Sequence, residues 1–222
     1  MHTLLLRLQG PLQSWGTTSR FDERDTQLEP SKSGVIGLLC AALGRDRAEP
    51  IADLAALRMG VRVDREGVLT RDYQTATGVV IASTGKPDLE RTVVSPRYLL
   101  ADAVFLVGLE GDDEHLLRQA HQALRYPVWP LALGRKSLAP AMPVWLPDGF
   151  VQQTLRSALA GYDTAHHPRP TGALRLLLED PAEGAVRLDQ PVAPFAQRRF
   201  GPRCVRTETI GRADHASDQA AA

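Results

Sequence analysis

The chain has 222 residues, of which 43% are hydrophobic, so it is long enough to bury one proper core and carry a small appendage. Its 26 Lys and Arg residues balance its 26 Asp and Glu residues. This balance excludes a global electrostatic field that would draw the whole surface to nucleic acid or to a membrane. Any site for a polyanion must therefore be local.

The sequence also lacks the usual marks of export, membrane insertion and metal binding. Cys40 and Cys204 have no ligand spacing and form no disulfide framework. The first residues have neither the basic start nor the apolar run of a signal peptide, and no stretch reaches the roughly 18 apolar residues of a membrane span. We expect a cytoplasmic protein that needs no metal or cofactor and contacts no membrane.

The first elements predicted in chain order are a strand, a loop and a helix. Leu4–Leu8 is typical of a buried strand, Gln13–Pro30 of a long charged loop, and 33–43 of an apolar helix. Ser31 or Ser33 can cap this helix, and a glycine follows it at position 44. We expect the helix to be buried and its N-terminus to face solvent.

The start of that helix, Ser31-Lys32-Ser33-Gly34, raises the question of phosphate binding. A Walker A loop needs glycines one and six residues before its lysine, and Ser31 and Thr26 occupy those positions, which argues against nucleotide hydrolysis. A helix N-terminus beside a lysine still suits an anion. Either Lys32 contacts phosphate, or it is a solvated charge beside a capping serine.

The loop before the helix brings further candidates into the same neighbourhood. Arg20 and Arg24 add positive charge, and Gln13 and Trp15 lie at the start of the loop. Trp15 could stack on a nucleic-acid base. Alternatively, it anchors the core.

The middle of the chain completes an α+β pattern. A half-exposed strand at 61–64 is followed by a polar, β-branched stretch over 69–99 that predicts a protruding hairpin. A core strand at 102–109, an amphipathic helix at 112–125 and a strand at 128–133 follow. Strand, helix, strand, strand, helix, strand is the order of a ferredoxin-like (RRM-like) βαββαβ domain, which we place at 1–140.

The composition of the sequence changes after residue 140, where prolines become frequent. We predict a small, irregular, β-containing C-terminal subdomain over 141–211, with one strand at Leu174–Glu179. The residues from 212 to 222 are polar and Ala-rich with no period, so we expect a disordered tail.

Two further clusters could bind an anion. In the first, Gly134 would allow a close backbone approach while Arg135 and Lys136, followed by Ser137, would meet phosphates, although a plain basic turn has the same sequence. The second, residues 195–206, mixes four arginines with two phenylalanines and no acid. It fits either RNA binding or an edge strand protected by arginine.

Evidence for catalysis is weaker. No Gly-x-Ser-x-Gly elbow and no His-Glu-x-x-His helix occurs in the sequence. His166 and His167 could act as general acid and base in metal-free RNA cleavage. No nucleophile or partner for them is evident from spacing.

Five segments in a fixed order carry a resemblance to a known family: LLLRLQGPLQSWG, SRF, PSKSGVIGLLCAALGR, PRYLLADAVF and YPVWPLALGRKS. As an ordered set they resemble the CasD-type subunits of type I-E Cascade, a CRISPR surveillance complex, in the RAMP superfamily. The match covers roughly residues 3–145. The resemblance implies a ferredoxin-like domain with a protruding hairpin, called the thumb.

The resemblance also implies a function and a site. Such subunits hold the 5′ handle of the CRISPR RNA without catalysing a reaction, and they contact the backbone subunit CasC, the large subunit CasA and, in the assembled complex, other subunits and target DNA. Carried over by motif, the handle contacts fall on the GPLQSWG loop, Arg20, the SKSG helix start and the GRKS turn. With Arg24 and Arg97 added, the predicted RNA-binding residues are Gln13, Trp15, Arg20, Arg24, Ser31, Lys32, Ser33, Gly34, Arg97, Gly134, Arg135, Lys136 and Ser137.

Two other functions stay open from the sequence. A sister branch in type I-C systems processes precursor RNA as a metal-independent endoribonuclease with a Lys-His pair and a Tyr, but this sequence has no Lys-His dipeptide. A structural adaptor whose basic clusters serve protein partners is the third possibility.

Overall fold

The computed structural model describes residues 1–18, 23–81 and 85–211. The predicted contact at Arg20 and the predicted tail over 212–222 lie outside these residues. The helices and strands are β1 (His2–Gln9), β2 (Leu12–Gln13), α1 (Lys32–Leu43), α2 (Ala52–Ala55), β3 (Arg58–Arg65), β4 (Val68–Val80), β5 (Pro87–Ala101), β6 (Val104–Gly111), α3 (Glu114–Arg125), β7 (Trp145–Val151), α4 (Leu155–Gly161), β8 (Leu174–Glu179), β9 (Ala185–Pro191) and β10 (Phe200–Ile210). Among the described residues, no helix has the length and apolar character needed to cross a membrane.

Two antiparallel sheets organise this mixed α and β fold. Seven strands form one sheet in the order β7-β1-β6-β3-β8-β10-β9, and every neighbouring pair is antiparallel. A second sheet has the order β2-β5-β4. The predicted α+β class is therefore correct at this level.

Strand β1 shows why the large sheet is buried on both faces. Successive side chains of a strand point to opposite faces. Leu4, Leu6 and Leu8 join the larger core cluster beneath α1 and α3, whereas Leu5 joins a second cluster beneath α4. A nearly continuous run of leucines, interrupted here by Arg7, is what a strand covered on both faces requires.

The strand predicted over 128–133 is wrong. Pro127 and Pro130 interrupt this segment, and proline cannot donate to a strand ladder. Its backbone instead closes α1, because Val128 N donates to Ala42 O at 3.0 Å and Trp129 N donates to Ala41 O at 3.1 Å. The sheet position beside β1 belongs to β7.

The residues after 140 complete the large sheet. Strands β7, β8, β9 and β10 all pair within it, and β8 has the predicted bounds. The division at residue 140 stays a prediction, but one sheet crosses it. The alternative of an arginine-studded edge strand over 195–206 stays a prediction, because β10 pairs with β9 over Phe200–Val205 and with β8 only from Val205 onward. Arg203 in this segment bonds to Asp189 at 2.6 Å and 2.9 Å.

Strands β4 and β5 form a long hairpin. They pair from Val68–Ala101 to Val80–Pro87, and β2 pairs with β5 near the base of the hairpin. The hairpin predicted over 69–99 lies within these strands. Most of its side chains are exposed, including Tyr73 and Leu89.

Helix α1 has the predicted caps but a buried N-terminus. Ser31 Oγ accepts from Gly34 N at 3.3 Å, and the helix ends at a left-handed glycine, residue 44. Lys32 is only 1% exposed, so the expected solvent-facing start is wrong. Its backbone N donates to Asp189 at 2.8 Å, and its Nζ donates to both carboxylate oxygens of Glu179 at 3.0 Å.

The Lys32 ammonium is held by charge pairing inside the protein. Burial lowers the pKa of Lys32, and the carboxylate of Glu179 opposes that shift. Removing one member of a buried ion pair leaves the other charge uncompensated. This pair therefore fixes the start of α1 against β8.

We expect Lys32→Met to lower the free energy of unfolding by about 3 kcal/mol, because the Glu179 carboxylate loses the buried ammonium that it contacts. The matched control is Lys136→Met, which removes an exposed lysine and changes stability by less than about 0.5 kcal/mol. Urea denaturation of both variants measures the difference. Equal transition midpoints would contradict a structural role for Lys32.

Candidate nucleic-acid interface

A cleft of about 270 Å³ joins segments that are far apart in the sequence. We call it the central cleft. It lies among the loop after β2, the start of α1, the turn after residue 133 and the start of β10. Its lining comprises Ser14, Trp15, Gly16, Asp25, Ser31, Ser33, Gly34, Gly134, Arg135, Phe195 and Phe200. The structure thus brings together members of all three basic clusters that the sequence indicated.

The turn over 133–138 is docked on the loop after β2. Leu133 N donates to Leu138 O at 2.8 Å, and Ser14 N donates to Leu133 O at 3.1 Å. Gly134 has φ +93°, and a Cβ there would lie 1.7 Å from Ser14 O. The expected close approach at Gly134 is therefore to the protein's own backbone, and it sets the position of Arg135.

Gln13 and Trp15 belong to the core. Trp15 is 1% exposed, and its Nε1 donates to Gln13 Oε1 at 3.1 Å. Gln13 Nε2 in turn donates to Ala103 O at 2.8 Å. A Cβ on Gly34 would lie 2.9 Å from the Trp15 ring, so the ring is covered by the start of α1. The predicted base stacking by Trp15 is wrong, and the core-anchor alternative is correct.

Arg24, Arg97 and Arg135 come together beside the central cleft. Arg24 N donates to Pro96 O at 3.0 Å and Tyr98 N donates to Arg24 O at 2.8 Å, so Arg24 pairs with Arg97 of β5 as a short parallel bridge. Arg135 Nη2 donates to Arg24 O at 3.0 Å. We call these three residues the arginine cluster.

The electrostatics of the arginine cluster favour an anion. Burial lowers the pKa of the Arg135 guanidinium, the positive charges of Arg97 and Arg24 lower it further, and Asp25 and Asp72 oppose the shift. Within the described part of the chain, Arg97 Nε and Arg135 Nη1 are buried and have no hydrogen-bond partner. Buried donors are normally satisfied. A phosphate would accept from such donors and relieve the repulsion among the guanidinium groups.

The other predicted contacts lie in different environments. Lys32 is buried against Glu179 and is withdrawn from any phosphate. Ser31 is buried as the helix cap, and Ser33 is half-buried at the cleft. Lys136 and Ser137 are exposed on the turn that carries Arg135.

Sequence reasoning did not include Phe195 and Phe200 among the site residues. Both line the central cleft, although they lie more than 160 residues after the loop that forms another part of its wall. The available signal was the mixture of phenylalanine and arginine over 195–206. That signal could not show which of those side chains face the same cleft as Arg135.

The two histidines considered for catalysis lie in different environments. His166 is exposed, whereas His167 is 4% exposed and its Nε2 contacts the Asp64 carboxylate. Arg62 also bonds to Asp64, at 2.6 Å, and is itself fully buried. His167 is thus part of a buried ionic network, and neither histidine lines the central cleft.

We expect Gly134→Ala to destabilise the protein by more than about 3 kcal/mol, since the added Cβ forces the turn away from Ser14. Gly172→Ala is the matched control: its φ is +98°, but a Cβ there meets nothing within 4 Å. That control carries only the conformational cost, about 1–2 kcal/mol. Thermal unfolding of both variants makes the comparison, and equal losses would contradict the docking of the turn.

Comparisons with known proteins agree with these features. A family model described as "CRISPR-associated protein (Cas_Cas5)" matches residues 3–206. The "CRISPR system Cascade subunit CasD" of Escherichia coli (strain K12) is 32% identical in an alignment over 157 residues that covers 64% of this chain and 69% of that protein.

Two solved structures match over nearly the whole chain. One, described as "Crystal structure of Cas protein", is 52% identical with a TM-score of 0.78 and 95% coverage of each chain. Another, described as "CRISPR RNA-guided surveillance complex", is 30% identical with a TM-score of 0.74 and covers 99% of this chain and 98% of that chain. The resemblance carried by the ordered motifs is thereby confirmed, and the chain belongs to the Cas5 family of CRISPR-associated proteins.

Proposed function

We propose that this chain is the RNA-binding subunit of a Cascade-type surveillance complex and that its arginine cluster holds the phosphates of the 5′ handle of the CRISPR RNA. The relatives support the first part, since one is a Cascade subunit and another belongs to an RNA-guided surveillance complex. The observation that carries the second part is the pair of buried, unpartnered donors at Arg97 and Arg135.

The charge pattern supports a local RNA site on an otherwise neutral protein. Many other arginines are paired to carboxylates, as Arg203 is to Asp189 and Arg58 is to Glu110. Arg135 instead donates from Nη2 to the backbone carbonyls of Arg24 and Asp25, and Arg97 Nε and Arg135 Nη1 are buried without a hydrogen-bond partner. A phosphate backbone is the polyanion that such a short positive surface fits.

We further propose that β1, α1, β3, β6, α3 and β7 form the ferredoxin-like unit of the fold. The sheet order β7-β1-β6-β3 and the antiparallel pairing of its neighbours support this proposal. The β4–β5 hairpin, inserted between β3 and β6, would be the thumb. In the assembled complex, CasC and CasA are the partners we propose, together with other subunits and target DNA.

We expect Arg135→Gln and Arg97→Gln each to weaken binding of an RNA with the handle sequence by about tenfold, or roughly 1.4 kcal/mol. Each lost phosphate contact should also reduce the slope of log affinity against log salt by about 0.7. The matched control is Arg118→Gln, which removes an exposed arginine on α3. Fluorescence anisotropy at several salt concentrations measures both quantities.

The same salt slope for Arg135→Gln, Arg97→Gln and Arg118→Gln would contradict the proposed site. Circular dichroism spectra of all three variants control for unfolding. Absence of RNA binding by the wild-type chain, both alone and in the assembled complex, would contradict the function itself and would favour the structural adaptor.

We also propose that the subunit is not an endoribonuclease, because His167 is engaged with Asp64 and neither histidine lies at the central cleft. The expected result is that precursor CRISPR RNA stays intact when incubated with the protein in EDTA. Gel electrophoresis of the RNA makes the measurement. Site-specific cleavage that disappears in His166→Ala would overturn this conclusion.

A further inference from the structure

The central cleft has an aromatic wall that phosphate binding does not use. Phe195 and Phe200 line it together with Ser33, Gly34 and Arg135. The two ring centroids are 6.5 Å apart and the ring planes make an angle of 48°. Aromatic surface therefore lies in the same small space as a guanidinium group.

Only one of the two rings is explained by core packing. Phe195 packs against the core and over α1, where a Cβ on Gly37 would lie 3.7 Å from its ring. Phe200 is 41% exposed. A half-exposed phenylalanine at a cleft that is also lined by Arg135 offers an open apolar face to a ligand.

The segment that presents Phe200 is held in one conformation. Ala196 N donates to Arg47 O at 2.8 Å, which fixes the segment to the loop after α1. Arg198 N donates to Phe195 O at 3.3 Å, and Val192 N donates to Arg199 O at 3.3 Å. Arg198 adopts φ +50°, the left-handed conformation that ends the short 3₁₀ turn over Phe195–Gln197. Phe200 is thus positioned before any ligand arrives.

We infer that the central cleft binds one unstacked nucleobase of the RNA, with the face of the base on the Phe200 ring. This inference rests on the proposed function, because the RNA is the one whose phosphates the arginine cluster holds. Aromatic side chains beside basic residues bind single-stranded nucleic acid in this way, and every base has a face that can stack. The Ser33 hydroxyl, which can donate or accept, lies in the same cleft for the edge of the base.

The geometry also connects the base to its own backbone. Arg135 lines the central cleft and belongs to the arginine cluster at the same time. A phosphate on Arg135 would therefore place its adjoining nucleotide at the mouth of the cleft. The base must leave the stack of its neighbours to enter, which restricts this subsite to single-stranded RNA.

The test uses a set of handle RNAs, each lacking one base at a different position, with the wild-type chain and Phe200→Leu. We expect Phe200→Leu to weaken binding of the intact RNA about tenfold. Phe200→Leu should show the same loss relative to the wild type with every abasic RNA except one. For the RNA that lacks the base bound in the cleft, Phe200→Leu and the wild type should bind equally. Phe200→Tyr, which keeps the ring, should stay within twofold of the wild type.

The matched control is Tyr126→Leu, which removes a ring that is 63% exposed after α3, outside the central cleft. This variant should bind every RNA as the wild type does. An equal loss with all abasic RNAs, or no loss with the intact RNA, would overturn the base subsite. Because Arg135→Gln is measured separately by its salt slope, the phosphate site can stand even if the base subsite fails.

Discussion

The placement of α1 depends on a buried ionic contact between the start of that helix and strands β8 and β9. The Asp189 carboxylate of β9 accepts a hydrogen bond from the backbone N of Lys32. Both carboxylate oxygens of Glu179, in β8, accept from the Lys32 ammonium. Arg203 of β10 then binds Asp189, so that the carboxylates and cations form one connected group. Breaking it would leave charges inside the core without partners, which is why the start of α1 is fixed against the C-terminal strands.

That contact determines what the central cleft can be. It turns Lys32 inward and leaves Ser33 and Gly34 at the cleft, while the adjoining β10 contributes Phe200. The turn docked through Gly134 adds Arg135 from a third part of the chain. In our proposal, the positive charge that meets RNA is therefore that of the arginine cluster and not that of Lys32.

The sequence alone predicted features that depend on neighbours along the chain. Ser31 as the cap of α1 and β8 over Leu174–Glu179 follow from local preferences and from apolar runs, and both are correct. The strand over 128–133 failed because the apolar pattern outweighed the two prolines that prevent a ladder. The predicted phosphate contact at Lys32 failed for another reason. In the sequence, a lysine that pairs with a distant glutamate looks the same as one that binds phosphate. Of the predicted contacts, Arg24, Arg97 and Arg135 gain support from contacts between residues far apart in the sequence, which no spacing rule could show.

We have proposed that the handle of the CRISPR RNA lies on the arginine cluster and in the central cleft. The most direct measurement is ultraviolet crosslinking in the reconstituted complex, with a photoreactive uridine placed in turn at each handle position and the crosslinked peptides identified by mass spectrometry. The account predicts crosslinks to the turn over 133–137 and to the start of β10 near Phe200. Handle crosslinks confined to the outer face of α3 or to β9, with none in the central cleft, would contradict it.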